Sequence, residues 1–191
     1  MENDRRNVVL WVVVALIVMA GVAAVVVRDR TRDRELPRQM VEEPVAGRVS
    51  EGVETRSVIL FFAAGNSDGL VREFREIIAG GGVAAEAKRT VIALARGPLA
   101  NGAPAIPRET TVEGVFLDSE GCLYLDLGRE LRAFHWGGVS GEWMTISSIL
   151  RTLGASFPEI RSVRFLEEGH PMETLTGHLD LTRRLWVDDW R

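Results

Sequence analysis

Residues 8–27 carry no charged side chain and no proline. As an α-helix rising ~1.5 Å per residue, such a run reaches ~30 Å, the hydrocarbon thickness of a bilayer. The pattern predicts one membrane-spanning anchor. The competing reading is a cleaved leader cut near Val22-Ala23-Ala24. Such leaders have a hydrophobic region of only ~7–15 residues, so the retained anchor is preferred. The single cysteine, Cys122, is far from this run, which excludes a lipid-modified cysteine as the anchor. Arg5 and Arg6 precede the run, and Arg28, Arg30, Arg32 and Arg34 follow it. Charge counting at the two ends predicts a cytoplasmic C-terminal side.

Residues 28–56 read as a charged linker. Pro37, Pro44, Gly47 and Gly52 interrupt it and no apolar period persists. Treated as a flexible tether, it has a reach of roughly 30 Å. A domain over residues 57–181 follows, then a short tail over 182–191. Residues 1–7 are a short N-terminal piece.

Within the domain, the apolar run 57–62 predicts a buried strand. Residues 70–78 are ambiguous, because Leu70, Phe74, Ile77 and Ile78 fit a helix while alternate positions fit a strand imperfectly. Residues 83–96 predict a helix with Ala84, Ala87, Val91, Leu94 and Ala95 on one face, stopped by Gly97-Pro98. Residues 111–117 and 122–127 predict a hairpin around the turn Asp118-Ser119-Glu120-Gly121. A second helix presents Ile146, Ile149, Leu150, Leu153 and Phe157, and 161–167 reads as another strand. A short piece near Thr174-Leu175 closes the domain. The expected class is α+β: a small mixed sheet with two helices packed on one face, preceded by one transmembrane helix.

Four segments carry a likeness to a known family. They are Leu94-Ala95-Arg96-Gly97-Pro98, Ala105-Ile106-Pro107-Arg108-Glu109-Thr110, Ile149-Leu150-Arg151-Thr152-Leu153 with Phe157-Pro158-Glu159-Ile160, and Leu175-Thr176-Gly177-His178-Leu179-Asp180-Leu181. In order and spacing the chain resembles the GerMN domain of sporulation and spore-germination proteins. Two positions depart from the family pattern: Glu109 stands where Gly is usual, and Arg151 where Asn is usual. The resemblance implies that residues 70–78 form a strand and that the domain lies outside the cytoplasm, against the charge count. It also implies a scaffold or interaction role, and it supplies no catalytic residue.

The rest of the sequence offers little chemistry. Net charge is −4, and nucleic-acid binding calls for a basic footprint, so no nucleic-acid partner is expected. Lys88 is the only lysine. Cys122, in an apolar run, reads as a buried structural thiol that permits no intrachain disulfide. His135, His170 and His178 lack the spacing of a helical zinc pair, and the latter two follow turn glycines, where they would bond a loop. Ser140 reads as a helix N-cap rather than a nucleophile. Gly80-Gly81-Gly82 lacks the Lys of a phosphate loop, and Asp118 and Asp126 read as turn and strand-end residues. No catalytic site, metal or cofactor is expected.

Trp186 and Trp190 lie four apart and would share a face on a helix, as a possible docking segment for a partner. The expected function is a single-pass plasma-membrane protein with an extracytoplasmic interaction or assembly module. It would recruit a protein partner or copies of itself, without catalysis. The alternative is an extracytoplasmic binding domain for a small ligand or cell-wall glycan. A deep pocket lined by Trp136, Trp143 or Tyr124 would favour binding, and a flat apolar patch would favour assembly.

Overall fold

A computed structural model describes residues 53–65 and 69–190. The expected span over residues 8–27 and most of the linker lie outside the described residues. Among those described, no helix is long and apolar enough to cross a membrane.

Strands β1 (Thr55–Ala63) and β2 (Leu70–Ile78) pair antiparallel, from Thr55 opposite Ile78 to Ala63 opposite Leu70. Val58, Leu60, Phe62 and Ile77 point inward, while Phe74 and Ile78 point out. Apolar residues on both faces of β2 explain its mixed period. The strand is the form that the family resemblance implies.

Helix α1 (Gly82–Ala95) buries Ala87, Val91 and Leu94. It ends at Gly97, whose φ of 84° suits glycine, and a Cβ there would come within 3.0 Å of Arg108 Nη2. The last carbonyls of a helix lack intrahelical donors. Here Arg75 Nη1, reaching from β2, donates to Ala93 O at 3.1 Å and to Gly97 O at 3.2 Å. Beside it Glu73, bonded to Arg75, accepts from Leu99 N at 2.9 Å.

Strands β3 (Val112–Leu117) and β4 (Cys122–Leu127) form the expected hairpin. Asp118 Oδ1 accepts from the N–H of Glu120 and of Cys122, each at 2.9 Å, which fixes the turn. The chain then crosses through α2 (Glu130–Ala133) and α3 (Val139–Ser156) to β5 (Ser162–Glu167), which lies parallel to β4. Ile146, Ile149, Leu150, Leu153 and Phe157 are all fully buried, as their spacing predicts. The far edge of β5 is shared by two short antiparallel strands, β6 (His170–Pro171) and β7 (Leu185–Trp186). A 3-10 turn, Val187–Trp190, follows, with Val187 buried against Gly154 of α3.

The α+β class holds, but the strands form two sheets rather than one: the β1–β2 hairpin, and a five-stranded sheet in the order β3-β4-β5-β6 with β7 also on β5. The reason lies on α3. Phe61 N donates to Thr152 Oγ1 and Ile59 N to Ser156 Oγ, each at 3.0 Å, while Ser148 Oγ donates to Phe61 O at 2.5 Å. Hydroxyls one helical turn apart thus occupy the edge of β1 that another strand would otherwise take. At the end of the same edge, Ala63 forms an isolated bridge with Ala103.

Of the two departures from the family pattern, Glu109 is exposed and Arg151 sets its guanidinium over the Phe61 ring, 4.9 Å from the centroid.

Candidate interaction surface

The junction between α2 and α3, Phe134-His135-Trp136-Gly137-Gly138, sets three ring side chains before two glycines of positive φ. His135 Nδ1 accepts from Gly137 N at 2.9 Å, so the ring proton sits on Nε2. That nitrogen donates to Thr145 Oγ1 at 2.9 Å, and the Thr145 hydroxyl passes its own proton to Ala105 O at 2.7 Å. Burial holds the His135 pKa below its ordinary value, with the nearby Glu142 charge acting in the opposite sense. The Trp136 ring stacks on His135, centroids 5.0 Å apart. It also covers Gly141, where a Cβ would fall 2.8 Å from the indole.

One turn into α3, the Glu142 side chain is fully buried. Its Oε1 accepts from Thr174 Oγ1 at 2.7 Å and Leu175 N at 2.8 Å. Its Oε2 accepts from Thr176 Oγ1 and His178 N, each at 2.9 Å, and lies 3.1 Å from His178 Nδ1. Burial by itself would raise this carboxyl's pKa. The donors outweigh it and bring the pKa down to about 2. Glu142 therefore fastens the segment Thr174-Leu175-Thr176-Gly177-His178 to the start of α3.

Over this fixed backbone lie large exposed apolar side chains: Phe134 (58% exposed), Trp136 (53%), Val139 (62%) and Trp143 (48%). Val139, Ser140, Trp143 and Met144 line an open depression of about 390 Å³. Trp190 lies tilted against Trp143, with centroids 5.7 Å apart.

The expected docking pair is divided between two elements. Trp186 belongs to β7, half-exposed, with the Arg184 guanidinium 5.0 Å from its ring centroid. Trp190 belongs to the 3-10 turn and packs on the domain through Trp143. Tyr124 lies apart from the depression, tilted against Phe116 on the β3–β4 hairpin. Ser140 is not the N-cap: that position is Gly138, and Ser140 sits within the first turn. His178 does bond a loop, through Glu142, and His170 Nδ1 meets Glu168 O at 3.0 Å. Asp126 ties a strand end to a turn by accepting from Gly169 N at 2.9 Å. Cys122 is buried. Among the described residues, no three His, Cys, Asp or Glu side chains converge as metal ligands. Glu142 escaped sequence reasoning. Its signal was an acidic residue beside the apolar stripe of α3, which on its own reads as solvent-facing.

Comparison with curated proteins gave no match. Among solved structures, the first GerMN domain of the sporulation protein GerM from Bacillus subtilis superposes with a TM-score of 0.54 at 22% identity, covering 67% of this chain and 98% of that one. The tandem GerMN domains of the same protein give a TM-score of 0.57 at 19% identity, covering 71% of this chain and 48% of that one, so this chain spans about half of the tandem pair. A proposed lipoprotein from Clostridium perfringens gives 0.51 at 18% identity, covering 75% of this chain and 95% of that one. At these identities the likeness establishes the fold. The sequence pattern of the Germane family, described as sporulation and spore germination, matches residues 59–173, and on that match the chain belongs to the Germane, or GerMN, domain family.

Proposed function

We propose that this chain is a membrane-tethered assembly module. Its domain lies outside the cytoplasm and holds a protein partner at the α2–α3 surface without chemical turnover. The observation that carries this reading is that Phe134, Trp136, Val139 and Trp143, neighbours in sequence at the α2–α3 junction, are each exposed around a backbone locked by Glu142 and His135. Aromatic side chains fixed before binding lose little entropy on association and are frequent anchors of interfaces. The depression beside Trp143 is open, which suits a protein surface better than an enclosed small ligand. Membership of a sporulation and germination family supports an envelope role, and the uncharged run 8–27 supports the tether.

Two measurements test it. Partner recovery with the tagged full-length chain from detergent-solubilised membranes should fall about tenfold or more in Phe134→Ser/Trp136→Ala, the loss of two anchors costing more than ~1.4 kcal/mol. Unchanged recovery, or binding of wall glycan fragments that the same change abolishes, would replace the assembly reading. Alkaline phosphatase fused after Arg191 should be active, since that reporter requires export. An inactive fusion, with a cytoplasmic reporter active at the same position, would reverse the topology.

A further inference from the structure

The outer edge of β2 carries no partner strand among the described residues. The hydroxyls of α3 bond the N–H groups of Ile59 and Phe61, so those residues direct their backbone away from β2. Their neighbours Val58, Leu60 and Phe62 face β2, opposite Arg75, Glu73 and Val71. In an antiparallel ladder the intervening residues of β2 must then turn their N–H and C=O groups the other way. These are Leu70, Arg72, Phe74, Glu76 and Ile78. Phe74 and Ile78 are 65% and 56% exposed, and Arg72 and Glu76 are exposed between them.

The strand reads Leu-Val-Arg-Glu-Phe-Arg-Glu-Ile-Ile and is complementary to its own reverse. With a two-fold axis through Phe74, Leu70 falls opposite Ile78, Val71 opposite Ile77, Arg72 opposite Glu76 and Glu73 opposite Arg75. Apolar meets apolar and each charge meets its opposite, on both faces. The neighbouring registers that also present outward backbone groups centre on Glu73 or Arg75. The first sets Glu73 against itself and the second sets Arg75 against itself, and each sets Phe74 against a charged residue. Opposite charges across strands stabilise and like charges destabilise, so one register is selected. Charged residues on an exposed edge ordinarily deter pairing. Here their alternating sign deters every alternative and admits a single self-partner.

We propose that two copies of this chain associate through antiparallel β2–β2 pairing centred on Phe74. The result is a continuous sheet in the order β1-β2-β2-β1. Rotation about an axis normal to the sheet keeps both α1 helices on the same face. Each covers its own hairpin, so the two lie two strand spacings apart, about 10 Å, a normal distance for packed helices. The groove of about 370 Å³ between β2 and α1, lined in part by Ile77, Ile78, Ile92 and Ala93, opens at this edge and closes against the other copy. An edge of this length buries a small area, so the pairing is weak in dilute solution and gains strength where tethers concentrate the chains. The proposal rests on the assembly reading and uses a surface separate from the α2–α3 junction.

Sedimentation of the full chain in detergent should show dimer rising with protein concentration. Arg72→Glu should reduce dimer about tenfold or more, because it sets Glu against Glu76 twice per dimer, and Arg72→Glu/Glu76→Arg should restore it. In a Cys122→Ser background, oxidised Phe74→Cys should cross-link to itself. Arg72→Cys alone should not, while a mixture of Arg72→Cys and Glu76→Cys chains should. A chain that stays monomeric, a dimer indifferent to Arg72→Glu, or Arg72→Cys cross-linking to itself would overturn the pairing. Partner recovery that persists through the aromatic surface would then show that the assembly reading survives without it.

Discussion

Glu142→Ala should lower the unfolding free energy by about 3–5 kcal/mol, the cost of breaking a buried charged network from one side. The carboxylate holds five donor groups on the segment 174–178, two of them backbone N–H groups that cannot turn elsewhere. Truncation orphans those donors and leaves a cavity among them. Glu142→Gln should cost less than Ala and still destabilise, because its amide NH₂ faces donors. The same group sets an acid limb. Its pKa is about 2 in the fold against an ordinary 4.5, so the unfolded chain binds the proton more readily. The stability it contributes is complete above pH 4.5 and is lost as the pH falls toward 2. The whole interval corresponds to about 3 kcal/mol. Urea unfolding at pH 7 and pH 3 should show a smaller acid loss in Glu142→Gln than in the parent chain. Equal losses would mean that another group sets the acid limb.

Much of the fold was legible because the longer elements keep clean periods. The faces of α1 and α3, the β3–β4 hairpin and β5 all lie where their apolar residues recur. The elements that sequence reasoning missed are short: α2 has four residues, and β6 and β7 have two each. Such pieces hold by pairing with β5 or packing on the core, which local sequence does not encode. β7 and the 3-10 turn also place residues after 181 on the domain itself. The site was less legible than the fold. Trp136 and Trp143 stood out by size alone. Glu142 depends on partners more than thirty residues away, and nothing local distinguishes it from a solvated helix residue. The separation of the two sheets depends on Ser148, Thr152 and Ser156, which read as ordinary polar positions until β1 is laid against them.

That hydroxyl series makes the second large prediction. Ser148→Ala/Thr152→Val/Ser156→Ala should destabilise the chain by about 3 kcal/mol or more, at roughly 1 kcal/mol or more for each partly buried backbone group left without a partner. The geometry is a match of two repeats. Four residues of helix advance ~6 Å and two residues of strand advance ~6.7 Å, so Thr152 and Ser156, one turn apart, meet Phe61 and Ile59, whose backbone groups face away from β2. Ser156 Oγ both accepts from Ile59 N and donates to Ile59 O at 3.2 Å, Thr152 takes Phe61 N, and Ser148 bonds Phe61 O. Apolar replacements keep the shape but leave a strand edge bare, so the variant should also aggregate at concentrations where the parent stays dispersed. Ser147 supplies the control. It is buried on the same helix, and its Oγ has no hydrogen-bond partner, so Ser147→Ala removes an unsatisfied polar atom and should be neutral or stabilising. Urea midpoints should therefore move down for Ser148→Ala and stay or rise for Ser147→Ala. Equal shifts for the two neighbours would mean that packing, not hydrogen bonding to β1, is what these hydroxyls contribute.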